Sequence, residues 1–283
     1  FFSALMLCFA LSIKAAPSDP GTSEEAFIER LRPMQTDGIE DKRLLRILQN
    51  YYRSSYGGPD NWEKIESIRF EGRLILPNAS ARFLAYKKKP NLCKIVVYTG
   101  PSNYIVMAYD GEDAWQLNTR SADPGPQSMP PDEALNFIRD ATTGSHLLFP
   151  IFPGKTIELG RTVEVDGRKC IEVHVRLPNG QTVDYALSLF NFEQCRQTVI
   201  NAVSGDSEVT THYESRLIRN ARFPVRSVLR INGEEIHRLE IDEIELNTGA
   251  MPWMFQRPSL DHIPEAGKAA PSPAPEPRVD PLQ

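Results

Sequence analysis

The feature that most limits how this chain folds is a long succession of apolar-rich runs of strand length, separated by turn pairs that favour a left-handed backbone. The pairs are Asp110-Gly111, Asp166-Gly167, Asn179-Gly180 and Asn232-Gly233, the kind that two-residue hairpins select because their central positions need positive φ. Runs predicted as strands cover 67–76, 80–88, 92–99, 103–109 and 114–118, then 156–159, 163–165, 169–177, 181–189, 194–203, 208–218, 225–231 and 234–246. Their short connections imply antiparallel neighbours, and no strand–helix–strand alternation is present to build a parallel sheet. The expectation is one continuous antiparallel sheet from 67 to 246, interrupted by a helix over 131–140. In 240–245 the alternation of acids and apolar residues changes phase, which predicts a bulge.

Helices are few. Asp41 caps a segment in which Leu44, Leu45, Ile47, Leu48, Tyr51 and Tyr52 recur at helical spacing, and Gly57-Gly58-Pro59 ends it before one more turn over 61–65. Pro131, followed by Asp132 and Glu133, opens the helix that carries Leu135 and Ile138 on one face.

The faces of the strands give the first functional hint. Over 67–76 one face is apolar and the other carries Arg69, Glu71 and Arg73, but over 92–109 both alternating sets are apolar. Strands of that kind are covered on both sides. Either helices pack over the sheet, or a curved sheet encloses an apolar trough. In the second case Phe70, Leu74, Phe83, Ile95, Val97, Ile105, Met107, Trp115 and Leu117, the large apolar residues at alternate positions of successive strands, line it. Trp115 is then the natural reporter. In the first case they pack against the Asp41-capped helix and leave no void.

Chemistry is not legible in the chain. It lacks G-x-S-x-G, S-x-x-K, H-E-x-x-H and the glycine-rich phosphate loops, so neither a nucleophile nor a nucleotide cofactor is expected. Cys170 and His174 stand four residues apart, about 13 Å along a strand, too far to share a metal. His146, His212, His237 and His262 are scattered and read as surface or satisfied residues, and Lys87-Lys88-Lys89 reads as a solvated strand end. A formal net charge of -5 argues against nucleic acid as a partner. No cofactor and no metal are expected, and the silence favours binding over catalysis.

The ends point to export. Residues 1–13 (FFSALMLCFALSI) are almost wholly apolar and stop before Lys14-Ala15-Ala16; this is shorter than the roughly 20 residues of a bilayer span and fits the core of a signal peptide over 1–16. An extension over 17–40 carries a short helix opened by Ser23-Glu24-Glu25, the globular domain covers 41–264, and 265–283, with five prolines, reads as a disordered tail. Cys93, Cys170 and Cys195 remain after cleavage, an odd count that leaves at least one thiol free or paired between chains; Cys170 and Cys195 read as two strands apart, about 10 Å, and a bridge between them requires their Cα atoms within about 7 Å.

Five segments carry a family resemblance: YYRSSYGGPDNWEKIESIRFEGRL (51–74), YKKKPNLCKI (86–95), AYDGEDAWQLN (108–118), VDGRKCIEVHVRLPNGQTVDYALSL (165–189) and YESRLIRNARFPVRSVLRINGEEIHRLEIDEIELN (213–247). In order and spacing they resemble the outer-membrane lipoprotein-sorting family, the LolA-like periplasmic lipoprotein carriers. The resemblance implies an unclosed antiparallel β-barrel of about 11–13 strands, with short helices covering its concave face. It also implies a periplasmic, non-catalytic carrier or binder of lipoprotein acyl chains or lipid. The alternative is a regulatory or structural module that uses the same half-barrel to engage an envelope protein.

Overall fold

The computed structural model describes residues 41–148, 154–201 and 204–258. The expected signal peptide, the helix at Ser23 and the proline-rich tail lie outside the described residues. Helix α1 (Lys42–Tyr56) and the single turn α2 (Pro59–Glu63) precede β1 (Ser67–Leu76), β2 (Ala79–Lys88), β3 (Leu92–Tyr98), β4 (Tyr104–Tyr109), β5 (Ala114–Asn118) and the short β6 (Gln127–Ser128). Helix α3 (Pro131–Asp140) leads to β7 (Thr156–Val165), β8 (Arg168–Arg176), β9 (Thr182–Ser188), β10 (Gln194–Ile200), β11 (Ser207–Ile218), β12 (Ala221–Ile231) and β13 (Glu234–Leu246). All 13 strands form one antiparallel sheet in the order β6-β5-β4-β3-β2-β1-β13-β12-β11-β10-β9-β8-β7, open between β6 and β7. This is the expected unclosed barrel. Two meanders are joined at a central seam, where β1 pairs with β13.

Local chemistry sets each element. Asp41 Oδ1 accepts from the amides of Arg43 at 2.7 Å and Leu44 at 3.3 Å, starting α1, and Gly57 at φ 70° ends it with its amide on the Arg53 carbonyl. Leu44, Ile47, Leu48, Tyr51 and Tyr52 are buried against the inner face of the sheet. The predicted bulge is present: Glu71 pairs with Glu243 and Gly72 with Ile241, so Asp242 has no opposite number. Gly72 is required there, since a β-carbon would stand 2.1 Å from the Glu240 carbonyl oxygen.

Three sequence expectations change in detail. The runs 156–159 and 163–165 are one strand, β7, with a bulge between Leu159 and Thr162. Strand β12 begins at Ala221 and not at 225, because Pro224 falls where β11 is bulged and the ladder is already irregular. Lys87 is buried and donates to the carbonyls of Asp140 at 2.7 Å and Thr142 at 3.1 Å, where a solvated strand end was expected.

Those two bonds hold a loop inside the half-barrel. Residues 141–143 and 145–148, which follow α3, are almost wholly buried. Lys155 Nζ donates to the carbonyls of His146 at 2.6 Å and Leu148 at 2.7 Å. Thr143 donates its amide to Pro90. At the loop's start Arg139, fully buried, pairs with Asp140 at 2.9 Å and Glu208 at 3.4 Å. The concavity is thus filled from one end by α1 and from the other by this loop. Among the described residues no helix is long and apolar enough to cross a membrane.

Candidate functional site

Phe70, Leu74, Phe83, Ile95, Val97, Ile105 and Met107 all belong to the principal core, packed with α1 and the buried loop. Of these seven, Phe70 borders a cavity; the rest are core, so the β1–β4 part of the inner face is a filled wall. Trp115 and Leu117 lie on the other face. Met107 pairs with Gln116 and Tyr109 with Ala114, so inward odd positions on β4 face inward even positions on β5. That change of parity turns Trp115 outward, into a cluster with Val106 and Ala108, where its indole N–H donates to the Phe255 carbonyl at 2.8 Å. The segment after β13 covers it. Trp115 is no reporter of the interior.

The open space lies on the other side of the seam. A cavity of about 210 Å³ runs between α1 and α2 and the inner faces of β1 and β10–β13. Its apolar wall comes from Trp62 of α2, Phe70 of β1, Phe223 of β12, and Leu239 and Ile241 of β13. The aromatic part is preassembled: Tyr56 and Trp62 have ring centroids 4.6 Å apart, Tyr51 meets Tyr56 edge-on at 5.9 Å, and Phe70 meets Phe223 edge-on at 6.2 Å. Lys89 Nζ sits 4.3 Å from the Trp62 ring centroid and also donates to the Trp62 carbonyl, fixing α2. Burial pushes that amine down to about 8.

A polar patch adjoins these residues on the inner face of the sheet. Gln197 on β10 pairs with Thr210 on β11, His212 on β11 with Ser227 on β12, and Ser227 with Leu239 on β13. All of them line the cavity. Gln194 Nε2 lies 3.0 Å from His212 Nε2 and His212 Nδ1 lies 2.8 Å from Ser227 Oγ. An amide nitrogen only donates, so His212 Nε2 accepts and its Nδ1 carries the proton toward Ser227. Burial, with the nearby Arg168 guanidinium, pushes His212 down to about 4, so the ring is neutral at ordinary pH. At the rim Arg168 donates to the His212 carbonyl at 2.9 Å, and Arg222 pairs with Glu193 at 3.2 Å.

These polar residues are absent from the sequence-based list. A partial signal was available: Gln197 and Ser227 interrupt the apolar phase of their strands, between Cys195 and Val199 and between Val225 and Leu229, but Thr210 and His212 stand in a polar phase and only the strand register shows that the four form one patch. Among the described residues no group of three or more His, Cys, Asp or Glu side chains is placed to hold a metal. Cys170 and Cys195 are thiols on β8 and β10, which flank β9, and Cys93 is a third buried thiol.

No protein-family model matches the chain, and no curated protein matches it. Among solved structures it is similar to an outer membrane lipoprotein-sorting protein domain from Vibrio parahaemolyticus, with 10% identity, a TM-score of 0.52, and 75% of this chain and 95% of that one covered. It is also similar to a DUF1329 family protein from Desulfovibrio piger, at 9% identity and TM-score 0.52 over 75% of this chain and 97% of the other. A LolA-superfamily protein from Nitrosomonas europaea aligns at 15% identity and TM-score 0.49 over 75% and 97%. At such identities the likeness is one of fold, and it is the fold that the five sequence segments imply.

Proposed function

We propose that this chain is a periplasmic binder or carrier of lipoprotein acyl chains or lipid, held without catalysis between the helices α1 and α2 and the β10–β13 side of the half-barrel. The observation that carries the reading is a cavity with one aromatic and aliphatic wall in a fold that a lipoprotein-sorting domain also uses. An alkyl chain gains affinity there by area, at about 25 cal/mol per Å² of apolar surface removed from water.

The test is displacement of a fluorescent fatty acid from the purified chain, run beside native mass spectrometry of protein taken from envelope extracts. The expected result is saturable binding and a co-purified lipid. Leu239→Gln, which places an amide in the apolar wall, is expected to weaken binding at least fivefold. If the wild type binds no alkyl ligand and crosslinking captures a protein partner instead, the reading falls in favour of an interaction module.

A further inference from the structure

The turn between β9 and β10 holds an aromatic ring out in water. Phe190 is 94% exposed, more than any other large apolar residue among those described, and its neighbour Leu189 is 41% exposed. The turn itself is firmly built. Ser188 Oγ accepts from the amides of Phe190 at 3.2 Å and Asn191 at 3.4 Å, the Ser188 carbonyl accepts from the Phe192 amide at 2.9 Å, and the Ser188 amide donates to the Glu193 carbonyl at 2.9 Å. Phe192, at φ 58°, packs against the principal core. One turn thus seats one phenylalanine and displays the other, where turn chemistry ordinarily places small polar residues.

Cations gather round the displayed ring. The Leu189 amide donates to the Lys169 carbonyl at 2.9 Å, and Arg168, Lys169, Leu189 and Phe190 border one surface hollow beside the β7–β8 turn. Arg219 stands in the β11–β12 turn at the same end of the sheet, which Glu193 ties to the β9–β10 turn through Arg222 at 3.2 Å and Ser215 at 3.1 Å. None of Arg168, Lys169 and Arg219 pairs with a carboxylate among the described residues. The carboxylates of these three turns are Asp166 and Glu193, and Glu193 is taken by Arg222. A chain of net charge -5 therefore places unpaired cations about its most exposed ring. An apolar tip framed by Lys and Arg is the composition that seats on anionic headgroups, the ring at the acyl boundary and the charges at the phosphates.

We propose that the β9–β10 turn docks on an anionic lipid surface, with Phe190 and Leu189 entering the headgroup layer and Arg168, Lys169 and Arg219 meeting lipid phosphates. The contact lies outside the cavity and rests on the proposed function only for its use: Arg168 and Glu193 border both the hollow and the cavity, so docking brings the cavity's rim to the membrane.

Cosedimentation of the purified chain with two kinds of vesicle tests this, one of phosphatidylcholine alone and one with about a third phosphatidylglycerol. The wild type is expected to bind the anionic vesicles at least tenfold more tightly, and to leave them at about 1 M salt, where screening shortens the reach of charge to about 3 Å. Phe190→Ser is expected to bind about tenfold more weakly. Lys169→Gln and Arg219→Gln are expected to cost about fivefold each. Trp253→Ser, which removes another exposed ring, 67% exposed, is expected to bind as the wild type does. Equal binding of both vesicles, binding of neither, or an equal loss in Trp253→Ser overturns the proposal. Displacement of the fluorescent fatty acid, expected to be unchanged in Phe190→Ser, keeps the two readings apart. A chain that takes up fatty acid and ignores both vesicles loses the docking surface alone, and one that binds anionic vesicles without fatty acid loses the cavity function alone. A fall in Tm beyond about 4 °C in Phe190→Ser shows the ring packed within the fold and overturns the docking role.

Discussion

Gly144 governs how closely the buried loop approaches the aromatic wall. Its φ is +100°, and a β-carbon there would stand 2.5 Å from Leu148 Cδ1 and 2.7 Å from Trp62 Cζ2. Gly144→Ala is therefore expected to cost about 1–3 kcal/mol through strain and clash together. The checking measurement is thermal melting with Trp emission, and an unchanged Tm would mean that the loop is not seated against Trp62. At this scale the sequence was partly readable. Asp41, Gly57 and Pro131 announced their roles because capping chemistry is local. The side of the sheet on which Trp115 lies was not, because it depends on how β4 and β5 are offset, and no single strand records that offset.

Among elements, the buried loop and the bulges carry the consequences. Burial pushes Lys155 down to about 7 and Lys89 to about 8, and lowers Lys87 as well. An amine whose folded value is depressed sheds its proton in the native state while the unfolded chain still holds it up to the ordinary 10.5. Stability thus rises with pH above about 7 until the unfolded value is reached. Each such amine adds at most about 1.4 kcal/mol per pH unit. Melting temperatures measured from pH 7 to 9 are expected to climb, and Lys155→Met to climb less; equal slopes would remove Lys155 from the account. Gly72→Val should abolish soluble folding, because the atom it meets is the Glu240 carbonyl oxygen, part of the backbone, which has little room to give. A folded Gly72→Val protein with wild-type Tm would refute the bulge. Here the sequence spoke through phase: the change near Asp242 was readable as a bulge, whereas the gap at 160–162 broke β7 into two apparent strands. Bulges preserve a strand while breaking its alternation, so pattern alone divides what pairing joins.

For the whole molecule, the seam decides the architecture. The fold class was legible because hairpin turns and short links leave few other arrangements for so many strands, yet the cavity was not, because it depends on which inward positions α1 and the loop fill. Six of the nine expected lining residues, Leu74, Phe83, Ile95, Val97, Ile105 and Met107, are core for that reason. A chain stopped after Gly233 lacks β13 and leaves β1 and β12 each with an unpaired edge. Its expected behaviour is aggregation, read by size-exclusion chromatography; a monodisperse monomer would show that the meanders stand without their seam.

That seam also sets a timetable for the growing chain. Asn247 accepts the Glu66 amide at 2.7 Å across 181 positions of sequence and donates to the Lys64 carbonyl at 2.7 Å, so the start of β1 is locked only when nearly all of the sheet has been made. Each meander closes through neighbours, while joining them waits for the latest strand and must overcome the largest loop-closure entropy. A chain threaded N-terminus first exposes one edge of β1 throughout that delay. The step most open to interference by a holding chaperone is accordingly the arrival of β13, and slowing the release of the last hundred or so residues should delay folding more than an equal pause earlier.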